Sequence, residues 1–312
     1  MSVTDSGPAR ARLSDSDVLV GIPAYNEAAA VGDIVRSSRE VADAVVVVDD
    51  GSDDRTAMRA AEAGAEVVRH EKNSGYGAAL GTLFETANER DADHLVVVDA
   101  DGQHDPAQVP GLVATQRASN AEIVIGSRFI GSSQSDTPLY RRIGLAVINT
   151  LVGASLRFGY SVQRIRDTQS GFRAYDADAI ELLAERADLS DGMDASVDIL
   201  FQAAQEGHEF VEAPVDVTYD VADEANTHNP VVHGAVLVRN VAGRVLSERP
   251  GRSLGGPGVI CLGLGVTLGL ASSAGLGIVT AIPRLVVTLL IALGIALAGA
   301  AFTVGTRRPS RD

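Results

Sequence analysis

The sequence has one cysteine, Cys261, set inside an apolar run. An internal disulfide framework and a cysteine cluster for zinc are therefore both excluded. Tryptophan is absent and Lys72 is the only lysine, so nearly all positive charge is arginine. Positive charge is also outnumbered, with 26 Lys and Arg against 41 Asp and Glu and a net charge of −15. That balance argues against a nucleic-acid partner held by a basic surface. An acidic, lysine-poor surface suits solubility at high salt, and salt adaptation is an expectation; an arginine-rich coding bias explains the missing lysines equally well.

The 312 residues, 46% of them hydrophobic, are enough for one large domain with a substantial core and an appendage. Residues 1–16 are polar, lack the apolar core of a targeting signal and read as a disordered tail. The C-terminal part reads differently. Gly255 to Gly277 carries no charge, nor does Leu285 to Val304, and Pro283 and Arg284 stand between them. Each run exceeds the ~18 apolar residues that mark a membrane-spanning helix. Back to back, they predict a helical hairpin in a bilayer (255–304), against the plainer alternative of two buried core helices. Arg244, Arg249 and Arg252 precede the hairpin and Arg307, Arg308 and Arg311 follow it in a basic tail, 305–312, against Arg284 alone within it. This bias predicts a multi-pass protein of the cell membrane with both termini and the soluble domain cytoplasmic.

Between the two regions, residues 230–254 form a juxtamembrane segment in which Val238, Val241 and Val245 recur at helical spacing beside Arg239 and Arg244. A helix lying in the membrane interface shows this pattern, as does an amphipathic helix packed on the soluble domain. Gly265 and Gly269 form a GxxxG, a weak pointer to a homo-oligomer paired through its membrane helices.

The soluble part, residues 17–229, alternates β-branched runs with helical patterns. Val18 to Ile22, Ala44 to Val48, Glu66 to Arg69, Leu95 to Val98 and Ile123 to Ile125 read as strands. Glu27 to Arg39, Gly77 to Glu89 and Pro106 to Ser119 read as helices. The alternation predicts an α/β fold with a mostly parallel sheet, helices on both faces, and ligands bound beyond the carboxyl ends of the strands. Unusual residues gather there: Pro23-Ala24-Tyr25-Asn26-Glu27 after the first strand, Asp49-Asp50-Gly51-Ser52 after the second, and Gly126-Ser127-Arg128 after the last. Asn26 and Ser52 are also suited to capping the helices that follow. Asn73-Ser74-Gly75-Tyr76-Gly77 opens a helix whose free amides can face an anion. In Val96-Val97-Val98-Asp99-Ala100-Asp101, strand alternation puts both carboxylates on one side, and two anions that close invite a cation.

These stretches, in this order from about Val18 to Tyr219, resemble the catalytic domain of glycosyltransferase family 2 with its nucleotide-binding, Rossmann-like GT-A fold. DADGQHDP, GSRF at Gly126 to Phe129 and DTQSGFRAY at Asp167 to Tyr175 resemble the archaeal-type polyprenol-phosphate hexosyltransferases, the dolichyl-phosphate mannose or glucose synthases. The resemblance implies that Asp101, with Gln103 as a neutral oxygen, holds Mg²⁺ or Mn²⁺, hard ions suited to oxygen ligands, and that Asp99 contacts the metal through water or the nucleotide. It implies that Pro23, Tyr25, Asn26, Glu27, Asp49 and Asp50 hold the base and ribose of a nucleotide-sugar donor. The acceptor it implies is dolichyl phosphate, whose oxygen is already anionic at neutral pH and needs positioning rather than deprotonation. Arg128, Arg141, Arg142 and Arg173 are the arginines for that task, with Asp101, Arg128 and Arg142 as the catalytic set; His233 also lies near the membrane segment. UDP-glucose is the favoured donor, GDP-mannose the alternative, and protein N-glycosylation the implied destination.

Three rivals stay open. A family 2 transferase acting on a saccharide or lipid-linked sugar needs a carboxylate base, for which Asp167 and Asp194 are the candidates. A sugar nucleotidyltransferase usually begins with a glycine- and arginine-rich loop, absent after Ile22. A noncatalytic membrane scaffold fits poorly with an intact Asp101 and Gln103.

Overall fold

The computed structural model describes residues 17–130, 149–150, 152–153, 156–157, 160, 162–186, 189–190, 195–217, 291 and 295. The chain folds as two compact units, one of Met1–Gly153 with Val162–Pro230 and a second of Ala154–Ser161 with Val231–Asp312. The second unit holds only a few described positions, among them Ile291 and Ile295, both helical. The uncharged runs 255–277 and 285–304 expected to span a membrane, the segment 230–254, the tails, Arg141, Arg142, Asp194 and His233 otherwise lie outside the described residues. Among the described residues, no helix is long and apolar enough to cross a membrane.

The first unit is built on a seven-stranded sheet. Its strands are β1 (Val18–Ala24), β2 (Ala44–Asp49), β3 (Glu66–Arg69), β4 (His94–Val97), β5 (Ile123–Ser127), β6 (Arg173–Asp176) and β7 (Phe210–Pro214), in the spatial order β3-β2-β1-β4-β6-β5-β7. All neighbouring pairs are parallel except those of β6, which runs antiparallel to β4 and β5. Val45 to Val48 and Ile123 to Ile125 are buried on both faces, which is why these strands are continuous aliphatic runs rather than alternating ones. Helices α1 (Val31–Ser38), α2 (Thr56–Ala63), α3 (Tyr76–Asn88), α4 (Val109–Ser119), α5 (Ala177–Glu185) and α6 (Ala195–Glu206) accompany the sheet.

Three local expectations are corrected. The helix read from Glu27 begins only at Val31, because residues 26–28 are drawn into hydrogen bonds with the loop after β2. The helix read from Pro106 opens as a short 3-10 turn, Pro106–Gln108, before α4. Strand β4 stops at Val97, and Asp101 lies in a turn where its Oδ1 accepts from the Gln103 amide at 2.9 Å. The turn, not a pleat, brings Asp101 towards Asp99.

Candidate active site

The strand ends form the rim, and the loops after β1 and β2 are stitched to each other. Ser52 Oγ accepts from the Asn26 amide at 2.9 Å, Asn26 Oδ1 from the Asp53 amide at 3.0 Å, and Thr56 Oγ1 from the Glu27 amide at 2.8 Å. Asn26 adopts a left-handed φ of 57°, a conformation asparagine tolerates better than most residues. Asn26 and Ser52 therefore do not cap the helices that follow; the N-cap positions of α1 and α2 are Ala30 and Arg55, without side-chain caps.

The two acids ending β2 are spent inside this scaffold. Asp49 is fully buried, with Oδ1 accepting from the Ser52 amide at 3.2 Å and Oδ2 3.0 Å from Arg69 Nε. Asp50 Oδ1 lies 2.7 Å from His70 Nδ1 and accepts from the Ser74 amide at 2.9 Å, while Oδ2 accepts from the Gly75 amide at 2.8 Å. Neither lines the cavity that opens at the rim. That cavity, about 280 Å³, is lined by Pro23, Tyr25, Glu27, Tyr76, Asp99, Ala100, Asp101, Gln169, Gly171 and Ser196. Of the positions expected to hold the nucleotide sugar, Pro23, Tyr25, Glu27 and Asp99 meet there, whereas Asn26, Asp49 and Asp50 hold the loops.

Asp99 is the electrostatic centre. Burial first, and the neighbouring Asp101 charge second, push its carboxyl up to about 6, against the opposing pull of the Tyr76 hydroxyl and of Arg128 and Arg173. Tyr76 donates its hydroxyl to Asp99 Oδ1 at 3.0 Å, and its own ionisation is pushed far up by burial and by that carboxylate. Sequence reasoning missed Tyr76 as a site residue, although it begins α3 directly after the Asn73–Gly75 turn. Gly171 is the floor of the pair: a side chain there would put its Cβ 2.6 Å from Asp99 Oδ2 and 2.9 Å from Tyr76 Oη.

The arginines divide. Arg128 grips Asp167 in a fork, Nε to Oδ2 and Nη2 to Oδ1, each 2.8 Å, and its backbone amide reaches Oδ2 at 3.1 Å. The Asp167 carboxylate is fully buried. Arg173 is 1% exposed and donates to the carbonyls of Ser196 at 2.8 Å and Thr168 at 3.0 Å. Enclosed that way, its two terminal nitrogens tie residues 168 and 196 to the end of the sheet. His104, next to Gln103, is buried against Phe172 with ring centroids 5.0 Å apart, and burial holds its imidazole down at about 4, neutral at physiological pH.

The sequence profile of glycosyl transferase family 2 matches residues 19–183. The chain is a family 2 glycosyltransferase. Among similar proteins, the undecaprenyl-phosphate mannosyltransferase of Micrococcus luteus is 32% identical over 70% of this chain and 91% of its own length. The UDP-N-acetylglucosamine–dolichyl-phosphate N-acetylglucosaminyltransferase of Methanococcus voltae is 31% identical over 56% of this chain and 75% of its own. Glucosyl-3-phosphoglycerate synthase from Mycobacterium tuberculosis, crystallised with Mn²⁺, UDP and phosphoglyceric acid, superposes with a TM-score of 0.56 over 74% of this chain and 78% of its own at 20% identity. This last likeness shows that the glycosyltransferase has the GT-A fold.

Proposed function

We propose that this glycosyltransferase moves a hexose from a nucleotide sugar to the phosphate of a polyprenyl carrier, dolichyl phosphate foremost. The carrying observation is the Arg128–Asp167 fork. An acceptor hydroxyl needs a carboxylate base, and Asp167 has both oxygens engaged by one guanidinium. A phosphate oxygen needs none: the bond from the sugar to the nucleoside diphosphate breaks, a bond from the same carbon to the acceptor phosphate oxygen forms, and no proton moves. The Micrococcus and Methanococcus relatives are both named for transfer to a polyprenyl phosphate, which supports the same reading.

The donor set fits a divalent cation. Asp99 and Asp101 disfavour each other's charge, which a cation between them would relieve, and all the oxygens offered are hard. Among the described residues no cluster of three or more His, Cys, Asp or Glu side chains forms a closed cage, so the donor's diphosphate would complete the shell. Mg²⁺ or Mn²⁺ held by Asp101 and Gln103, with Asp99 beside it, would supply positive charge to the departing diphosphate. Asp167 fixes the plane of Arg128, which with Arg141 and Arg142 orients the acceptor phosphate. Pro23, Tyr25 and Glu27 hold the nucleotide.

UDP-glucose is the donor in this reading, GDP-mannose its competitor, and the lipid-linked hexose serves protein N-glycosylation. A polyprenyl chain stays in the bilayer, so a membrane hairpin at 255–304 with a cytoplasmic catalytic domain brings the rim to its acceptor. The test is product analysis in membranes carrying the protein, given labelled UDP-glucose or GDP-mannose, dolichyl phosphate and Mg²⁺. A mild-acid-labile labelled lipid made from one donor, and lost in Asp101→Ala, is the expected result. Labelled saccharide without labelled lipid would return the base-dependent rival to first place.

A further inference from the structure

We propose that Tyr76 is a positioning residue for the Asp99–Asp101 pair, braced by Asp50 through the turn that opens α3. The inference rests on reading that pair as a divalent-cation site.

Asp99 lies past the end of β4, and its carboxylate must keep one orientation beside an exposed turn residue, Asp101. Two contacts fix it. The Tyr76 hydroxyl donates to Oδ1 at 3.0 Å, and the bare backbone of Gly171 leaves room for Oδ2 where any Cβ would stand 2.6 Å away. Tyr76 is held in turn. It is the first residue of α3, and the two residues before it, Ser74 and Gly75, donate their amides to the two oxygens of Asp50. Asp50 is anchored at the end of β2, its own amide donating to the Ala24 carbonyl at 2.9 Å, and His70 bridges it to Thr82 on the same helix at 2.7 and 2.9 Å. A path thus runs from β2 by hydrogen bonds to the turn, along the covalent chain into Tyr76, and by its hydroxyl to the carboxylate at the cavity. Partners that hold a metal ligand's carboxylate this way are typically worth about 10- to 100-fold in metal affinity or activity when removed. Asp50 thereby has a task that explains why β2 ends in two acids rather than one.

The test is Mn²⁺ titration of the full-length protein in detergent with UDP present, free Mn²⁺ being counted by its electron paramagnetic resonance signal. Turnover and melting temperature are measured on the same preparations. Tyr76→Phe keeps the ring and removes one hydroxyl; it should weaken Mn²⁺ binding about 10-fold and lower kcat more than it raises KM for the donor, with the melting temperature close to wild type. Asp50→Asn should move Mn²⁺ affinity in the same direction and add little in the double variant, since both act through Asp99. Wild-type Mn²⁺ affinity and turnover in Tyr76→Phe, with Asp101→Ala still deficient, would overturn the proposal and leave the cation site standing. Absence of Mn²⁺ binding by the wild-type protein would overturn both.

Discussion

Removing Asp167 separates its two possible roles. If it is a clamp, Asp167→Ala leaves the Arg128 guanidinium, whose side chain is 14% exposed, without the two 2.8 Å bonds that hold it and frees the Arg128 amide as well. Breaking a buried ion pair by deleting one partner costs about 3–5 kcal/mol, and the slight exposure of Arg128 argues for the lower end. For a domain of this size each kcal/mol lowers the melting temperature by about 2–4 °C, so a fall of at least about 6 °C is expected. Circular dichroism of the detergent-solubilised protein reads it, since the chain has no tryptophan to report unfolding. Asp167→Asn keeps one acceptor and should fall between the two. A variant that melts with the wild type yet has lost turnover would refute the clamp, make Asp167 a base and favour a hydroxyl acceptor.

Other perturbations have similarly defined outcomes. Gly171→Ala places a Cβ 2.6 Å from Asp99 Oδ2 and should lower kcat/KM about 100-fold by misplacing that carboxylate, with far less effect on melting. Gly51 has a φ of +71° and a Cβ there would stand 2.4 Å from the Lys72 carbonyl carbon, so Gly51→Ala should cost about 1–3 kcal/mol in denaturant titration. Asp176 caps α5 by accepting from the Ala179 amide at 2.9 Å, and Asp176→Ala should cost about 1 kcal/mol with turnover unchanged. Burial also raises the Asp176 carboxyl above its ordinary range, so the folded state disfavours its ionised form. Asp176→Asn, which keeps the cap, should therefore be the more stable variant at pH 7, and the advantage should vanish below the ordinary aspartate range, where the group is protonated folded and unfolded alike.

Strands β1, β2, β4 and β5 were legible because each is an aliphatic run long enough to be buried on two faces, and the edge strand β3 was legible from Val67 and Val68 between its terminal charges. Strand β6 was not: Arg173-Ala174-Tyr175-Asp176 has a charge at each end, and its place between β4 and β5 is fixed by partners distant in sequence. The same strand explains why the burial of Arg173 was not legible. Its Nη1 and Nη2 donate to the carbonyls of Ser196 and Thr168, which no local pattern reveals. Asp99 and Asp101 were legible from spacing, but Tyr76 was not, since its hydroxyl meets Asp99 only once α3 packs on β1 and β2. Asp49 and Asp50 stood out correctly as excess acids at a strand end. Whether such acids face a ligand or a neighbouring loop depends on the amides of residues 52, 74 and 75, and only the fold shows where those point.

If the acceptor oxygen belongs to a phosphate, transfer proceeds without a base. The decisive measurement is release of nucleoside diphosphate by the purified protein, with the nucleotide sugar it turns over, given dolichyl phosphate, dolichol or a simple saccharide as acceptor. Release with dolichyl phosphate alone is the predicted result. Comparable release with dolichol or a saccharide would contradict it, because those hydroxyls require a base, and of the two candidate carboxylates Asp167 is held in the fork with Arg128.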